Sequence, residues 1–325
     1  MKKRALFQAC AVLAVLPAFV LPVQAQDFPP KKPVTLVVGF APGGAADAAA
    51  RVIARKLTDN IGQTVIVDNK PGAGGNIAHQ LVANMPGDGA TLLLGSVGPL
   101  TIAPHLMKLG YDPVRDLAPI TMGVNFPNVL VVHAGVGANT LAEYVALAKR
   151  KPGSLDFAST GAGSASHLAG ELFNARASVD TVHIPYKGGA PALQDLLGGR
   201  VASYYSTPAT AGPHIESGKL IALASTGLTR PAFLPNVPTI AESGYAGFNA
   251  TNWYAFVASS KTPKLLLDRW NIELVKVLNA PDIREQLNKL GLTPQPGTRD
   301  ELARYMASES ATWARIIKER KITAE

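Results

Sequence analysis

The chain has 325 residues, 47% of them hydrophobic, a formal charge of +8 and one cysteine. A single cysteine excludes a disulfide framework, so the chain must be held together by apolar cores. The positive charge is spread along the sequence, densest at Lys149, Arg150 and Lys151 and with no aromatic residues interleaved, a pattern that does not indicate nucleic-acid binding.

Lys2, Lys3 and Arg4 precede an apolar run over residues 9–21, and Val23, Gln24 and Ala25 close it in the small-x-small manner of a secretory signal. Cleavage is expected after Ala25, with the mature chain in the periplasm. Residues 1–25 contain no acid, so their removal leaves 28 basic against 23 acidic residues, a net +5. Cys10 lies inside this segment behind Phe7, Gln8 and Ala9, without the leucine a lipidation site wants. No later run approaches about 18 apolar residues, so no membrane span is expected.

Residues 34–38 form an apolar, β-branched run between Pro33 and Gly39, which reads as a buried strand, and the Ala-rich run after Asp47 reads as a helix. Pro42, Gly43, Gly44, Ala45, Ala46 and Asp47 join them without a Lys or Arg. A helix start of this kind presents unpaired N–H groups and the positive end of the helix dipole, and can hold an anion with backbone alone. The junction lacks the Gly-Lys-Ser/Thr of a P-loop and the G-x-G-x-x-G of a dinucleotide fold, which argues against nucleotide phosphate. The competing reading is a tight turn with Asp47 complementing the dipole.

Strand, loop and helix then alternate: strand 64–67, loop 68–75, helix 76–84, and strand 91–94 after the turn at Pro86, Gly87, Asp88 and Gly89. Buried strands alternating with helices predict a mostly parallel sheet covered on both faces. Residues 117–133 break the rhythm with two apolar segments around Phe126 and Pro127. A second α/β series follows, with strands at 155–158, 181–184, 201–206 and 221–225 and helices from about 164 and 191. Its first strand runs into Thr160, Gly161, Ala162, Gly163 and Ser164, a second glycine-rich helix start. Thr140 with Glu143 and Thr298 with Glu301 predict capping boxes, and Thr262 before Pro263 predicts an N-cap with proline at the first helical position. A strand at 253–257 and helices from 263 onward are expected to return to the first domain. The expected division is a signal at 1–25, a discontinuous first domain at 26–126 and 252–325, and a second domain at 127–251.

Several motifs together carry a family resemblance: Pro42-Gly43-Gly44 with Asp47 and Arg51; Asn69-Lys70-Pro71-Gly72-Ala73-Gly74-Gly75; Tyr111-Asp112-Pro113; Gly161 and Gly163-Ser164 with His167-Leu168-Ala169; Pro185-Tyr186-Lys187-Gly188; and Leu234-Pro235-Asn236-Val237-Pro238-Thr239 with Glu242 and Gly244. In this order they resemble the periplasmic solute-binding proteins of tripartite tricarboxylate transporters, the Bug family, over essentially all of the mature chain. The resemblance implies a two-domain clamp of the periplasmic binding-protein type (type II-like), with two crossover strands and an organic anion in the cleft. It implies a carboxylate held by backbone N–H groups of the loops at 42–47 and 160–164. Tyr186, Lys187, Gly188 and Gly189, with strand ends near Ser96 and Ser206, would line the rest. Many relatives carry a hydroxyl or glycine where this chain has Ala45 and Ala46, so ligand identity does not transfer.

The six histidines, His79, His105, His133, His167, His183 and His214, are too far apart for a metal pair on one helix. His167 could reach the cleft or pack locally. Neither Ser164 nor Ser166 sits in a G-x-S-x-G elbow, which disfavours a secreted hydrolase. The expectation is a non-enzymatic, cofactor-free and monomeric receptor that passes a small organic acid to transporter subunits in the membrane. A periplasmic sensor feeding a two-component kinase would use the same clamp.

Overall fold

The computed structural model describes residues 28–323, so the expected signal and its cleavage after Ala25 lie outside the described residues. β1 (Val34–Val38) is buried on both faces, as its unbroken apolar composition requires. Val34, Leu36 and Val38 pack toward α1 (Ala45–Ile61) and α7 (Lys264–Asn279). Val37 packs toward α2 (Asn76–Asn84) on the other face. β1 pairs in parallel with β2 (Val65–Asn69) and β3 (Thr91–Ser96).

β4 (Leu117–Pro127), β10 (Thr251–Ser259) and β11 (Thr293–Pro294) complete a six-stranded sheet in the order β11-β4-β10-β3-β1-β2. A second, five-stranded sheet has the order β7-β6-β8-β5-β9. It is built from β5 (Val129–His133), β6 (Asp156–Ser159), β7 (Val182–Pro185), β8 (Ser203–Ser206) and β9 (Leu220–Ser225). Each sheet with its helices forms a lobe. α3 (Leu141–Arg150), α4 (Ala165–Ala177), α5 (Gly189–Leu197) and α6 (Pro208–Glu216) belong to the second sheet. α8 (Pro281–Lys289) and α9 (Arg299–Arg320) follow α7, and Asn271 of α7 donates to the Ile120 carbonyl of β4 at 2.7 Å.

The sheets are more mixed than the strand and helix rhythm suggests. β10 runs antiparallel to both β3 and β4, and β5 runs antiparallel to both β8 and β9. The reason is topological. β4 leaves the first sheet and, after Asn128 alone, continues as β5 in the second, while the chain returns as β10 beside β4 with Asn252 opposite Phe126. A strand that returns beside the one that left runs the opposite way. Both capping boxes form, at Thr140 with Glu143 and Thr298 with Glu301. The cap expected at Thr262 does not: Pro263 itself is the N-cap of α7 with ψ 140°, one residue later than the sequence pattern indicates.

Candidate functional site

The lobes meet along the ends of their strands. Ala41 N–H donates to the Lys187 carbonyl at 3.1 Å, tying the loop after β1 to the loop before α5. Gly74 lies against the Ala162 carbonyl and Gly98 against the Gly163 carbonyl, so closely that a Cβ would come within 2.3 and 2.6 Å of those oxygens. Between the lobes is a partly open cavity with a water-accessible volume of about 20 Å³, room for roughly one or two waters.

Four helices begin at this cavity. α1 contributes Gly44, Ala45 and Ala46, α4 contributes Ala165 and Ser166, α5 contributes Gly189, and Thr207 is the N-cap of α6. The first-turn N–H groups of a helix have no intrahelical acceptor, and each N-terminus carries the equivalent of about half a positive charge. Among the described residues, no Lys, Arg, His, Asp or Glu lines the space; its other walls are Phe40, Ser96, Val97, Asn128, Thr160, Asn252 and Tyr254. The cavity is therefore electropositive through backbone alone, and what it can do chemically is hold a small anion.

Of the residues expected from the sequence, Gly44, Ala45, Ala46, Ser96, Thr160 and Gly189 line the cavity. The others surround it. Pro42 and Gly43 are exposed on the loop, and Gly43 spends its N–H on Asp47 Oδ2 at 3.0 Å. Asp47 is a brace for that loop. Arg51 meets it at 2.9 Å and 3.0 Å, and Asn69, which Arg51 also contacts, donates to the Phe40 carbonyl at 3.0 Å. Burial pushes the Asp47 carboxyl up, but hydrogen bonds from Arg51, Gly43 and Asn69 outweigh it and hold the group below its ordinary value.

In the second loop most backbone donors are already engaged. Thr160 N–H goes to Ser166 Oγ, Gly161 N–H to Ser159 Oγ, Gly163 N–H to His167 Nδ1 and Ser164 N–H to the Gly161 carbonyl. Donors toward the cavity therefore come from the start of α4, at Ala165 and Ser166, one step past the expected stretch. His167 is 1% exposed, stacks on His183 with centroids 4.0 Å apart and orients Gly163, so of its two expected places the structure gives local packing. Ala162 faces Gly74, Ser164 caps α4 through its contact with His167 N–H, and Tyr186 donates to Asp195 at 2.8 Å. Gly188 abuts Ala41, and Ser206 donates to the Thr207 carbonyl at 3.2 Å.

Sequence reasoning did not place Phe40, Val97, Asn128, Thr207, Asn252 or Tyr254 in the site, and considered Ser166 only as a nucleophile. Thr207 carries a readable signal, since Thr before Pro208 is a helix start. Nothing local marks the two asparagines; they reach the cavity because both chain crossings pass behind it.

Two α/β lobes joined by paired crossings, with a partly open cavity between them that is ringed by helix N-termini, are the architecture of the periplasmic binding-protein class. Comparison with known proteins gives the family. The model of the tripartite tricarboxylate transporter family receptor matches residues 49–322, and the chain belongs to that family as a periplasmic solute-binding protein. It is 37% identical to BugT of Bordetella pertussis, over 95% of this chain and 97% of that protein. Its fold matches a Rhodopseudomonas palustris protein solved with adipate, with a TM-score of 0.88, 33% identity and coverage of 91% and 99%. It also matches MatC from the same species with bound malate, with a TM-score of 0.85, 31% identity and coverage of 89% and 99%.

Proposed function

We propose that the protein captures a small organic carboxylate in the cavity between its lobes and delivers it to the membrane subunits of a tripartite tricarboxylate-type transporter. It acts as a monomer in the periplasm after loss of residues 1–25. The observation that carries the reading is the convergence of four helix N-termini on a cavity without a charged side chain. An organic acid is larger than the present space, so it enters with the lobes apart. The moving bodies are 26–126 with 252–325, and 127–251, pivoting at the two crossings. Binding favours closure because only then do helix starts of both lobes reach one ligand. Adipate and malate in the two related structures support a carboxylate as the solute class. Membership of a family of solute-binding receptors supports retention without turnover.

Calorimetry with an acid and its neutral amide tests this. Hydrogen bonds to a charged group contribute about 1.5–3 kcal/mol each, so loss of one or two should weaken binding from about tenfold to several thousandfold. Equal affinities for acid and amide would reduce the glycine-rich junctions to simple turns.

A further inference from the structure

Asn128 and Asn252 occupy the two chain crossings, Asn128 between β4 and β5 and Asn252 near the start of β10. Both are buried, at 0% and 7% exposure, and both line the cavity. Their backbones are fixed: Asn128 N–H donates to Thr226 Oγ1 at 2.9 Å, and Thr226 in turn bonds Ala250, two residues before Asn252. Asn252 Nδ2 donates to Asn128 Oδ1 at 3.3 Å. That bond leaves Asn128 Nδ2 and Asn252 Oδ1 without a partner among the described residues, and Ser96 Oγ, on a residue 3% exposed, also has none there. Reversing both amides gives the same inventory, one unpaired donor and one unpaired acceptor on two residues that line the cavity.

Given the carboxylate reading above, on which this inference rests, we infer that the amide pair selects a hydroxycarboxylate, with the ligand hydroxyl accepting from one asparagine and donating to the other. Other substituents satisfy less. A methylene pairs with neither atom, and a ketone accepts but cannot donate. An ammonium donates but cannot accept, and no carboxylate lines the cavity to offset its charge. Among these substituents the hydroxyl alone supplies both, and a buried polar atom left unpaired is costly.

The test is calorimetry on sets that share one skeleton: lactate, pyruvate, alanine and propionate; then malate, oxaloacetate, aspartate and succinate; then mandelate and phenylacetate. Within the set that fits, the hydroxy acid should bind about 10- to 100-fold more tightly than the compound lacking the hydroxyl. That ratio should shrink toward one in Asn252→Leu and in Asn128→Ala, with near-ultraviolet circular dichroism used to select variants that keep the native fold. If the deoxy or amino acid binds as tightly as the hydroxy acid, the hydroxyl inference is overturned and the carboxylate reading stands. If no acid of any set binds, both are overturned.

Discussion

Asp47 is the clearest case of a residue whose chemistry is turned toward the protein. Its carboxylate is buried, accepts the Gly43 N–H and pairs with Arg51, whose own side chain is 56% exposed. The asymmetry predicts unequal costs. Asp47→Ala strips the Gly43 donor and leaves the loop after β1 without its brace, so urea unfolding should show a loss of about 1–3 kcal/mol. Arg51→Ala removes a solvated partner and should cost no more than about 1 kcal/mol. Asp47→Asn, which retains an acceptor for Gly43, should fall between them. If Arg51→Ala proves the more costly change, the brace is the ion pair and not the turn that Asp47 closes.

At the scale of elements, closure depends on backbones meeting where no side chain intervenes. Gly98 begins the π-helical turn after β3 (Gly98–Ile102), and a Cβ there would come within 2.6 Å of the Gly163 carbonyl and 3.0 Å of Ser164 Cα in the other lobe. Alanine suits that backbone, so Gly98→Ala should leave each lobe folded and obstruct only their contact. Ligand affinity should drop by about tenfold or more, because a receptor pays its affinity for a closed state that is rarely populated. Small-angle scattering with ligand should show a larger radius of gyration than wild type, and an equal radius would mean that the turn shifts to accommodate the methyl group. Such contacts also mark what was legible beforehand. Helix starts at Gly44 and Ser164 announce themselves locally, through glycine turns and a serine cap, and so do the strands, through apolar β-branched runs. α6 escaped because Pro213 lies inside a nine-residue helix and erases its pattern. The mixed sheet order and the arrival of Asn128 and Asn252 at the cavity are properties of chain crossing, which no short stretch of sequence records.

Across the whole molecule, His79 and His167 are buried and His183 is half-buried, and all three are held uncharged. His79 holds α2 to β3: Nδ1–H donates to the Gly75 carbonyl at 2.8 Å and Nε2 accepts the Ser96 N–H at 3.3 Å, so its two ring nitrogens suit only the neutral form. Burial pushes it down to about 4. In the other lobe His167 and His183 stack, and burial lowers both, with each other's proximity adding to the shift at His167. In the unfolded chain all three would titrate near 6.5. Below that value the unfolded state binds protons that the folded state refuses, so stability present above about pH 6.5 is lost as the pH falls toward the folded values. Each histidine contributes up to about 1.4 kcal/mol per pH unit in that window. Glu171, which lies 4.0 Å from His167, is raised by burial and acts in the opposite sense, so a net fall in stability reports the histidines. The melting temperature should be nearly level above pH 7 and decline from 6.5 to 5, and the decline should be shallower in His79→Gln. Because the folded protein keeps His79 neutral over this range, its hold on the Ser96 backbone at the cavity wall persists, and ligand affinity should stay level while stability falls. A melting temperature that stays level or rises between pH 6.5 and 5 would show that these rings are not held neutral by the fold.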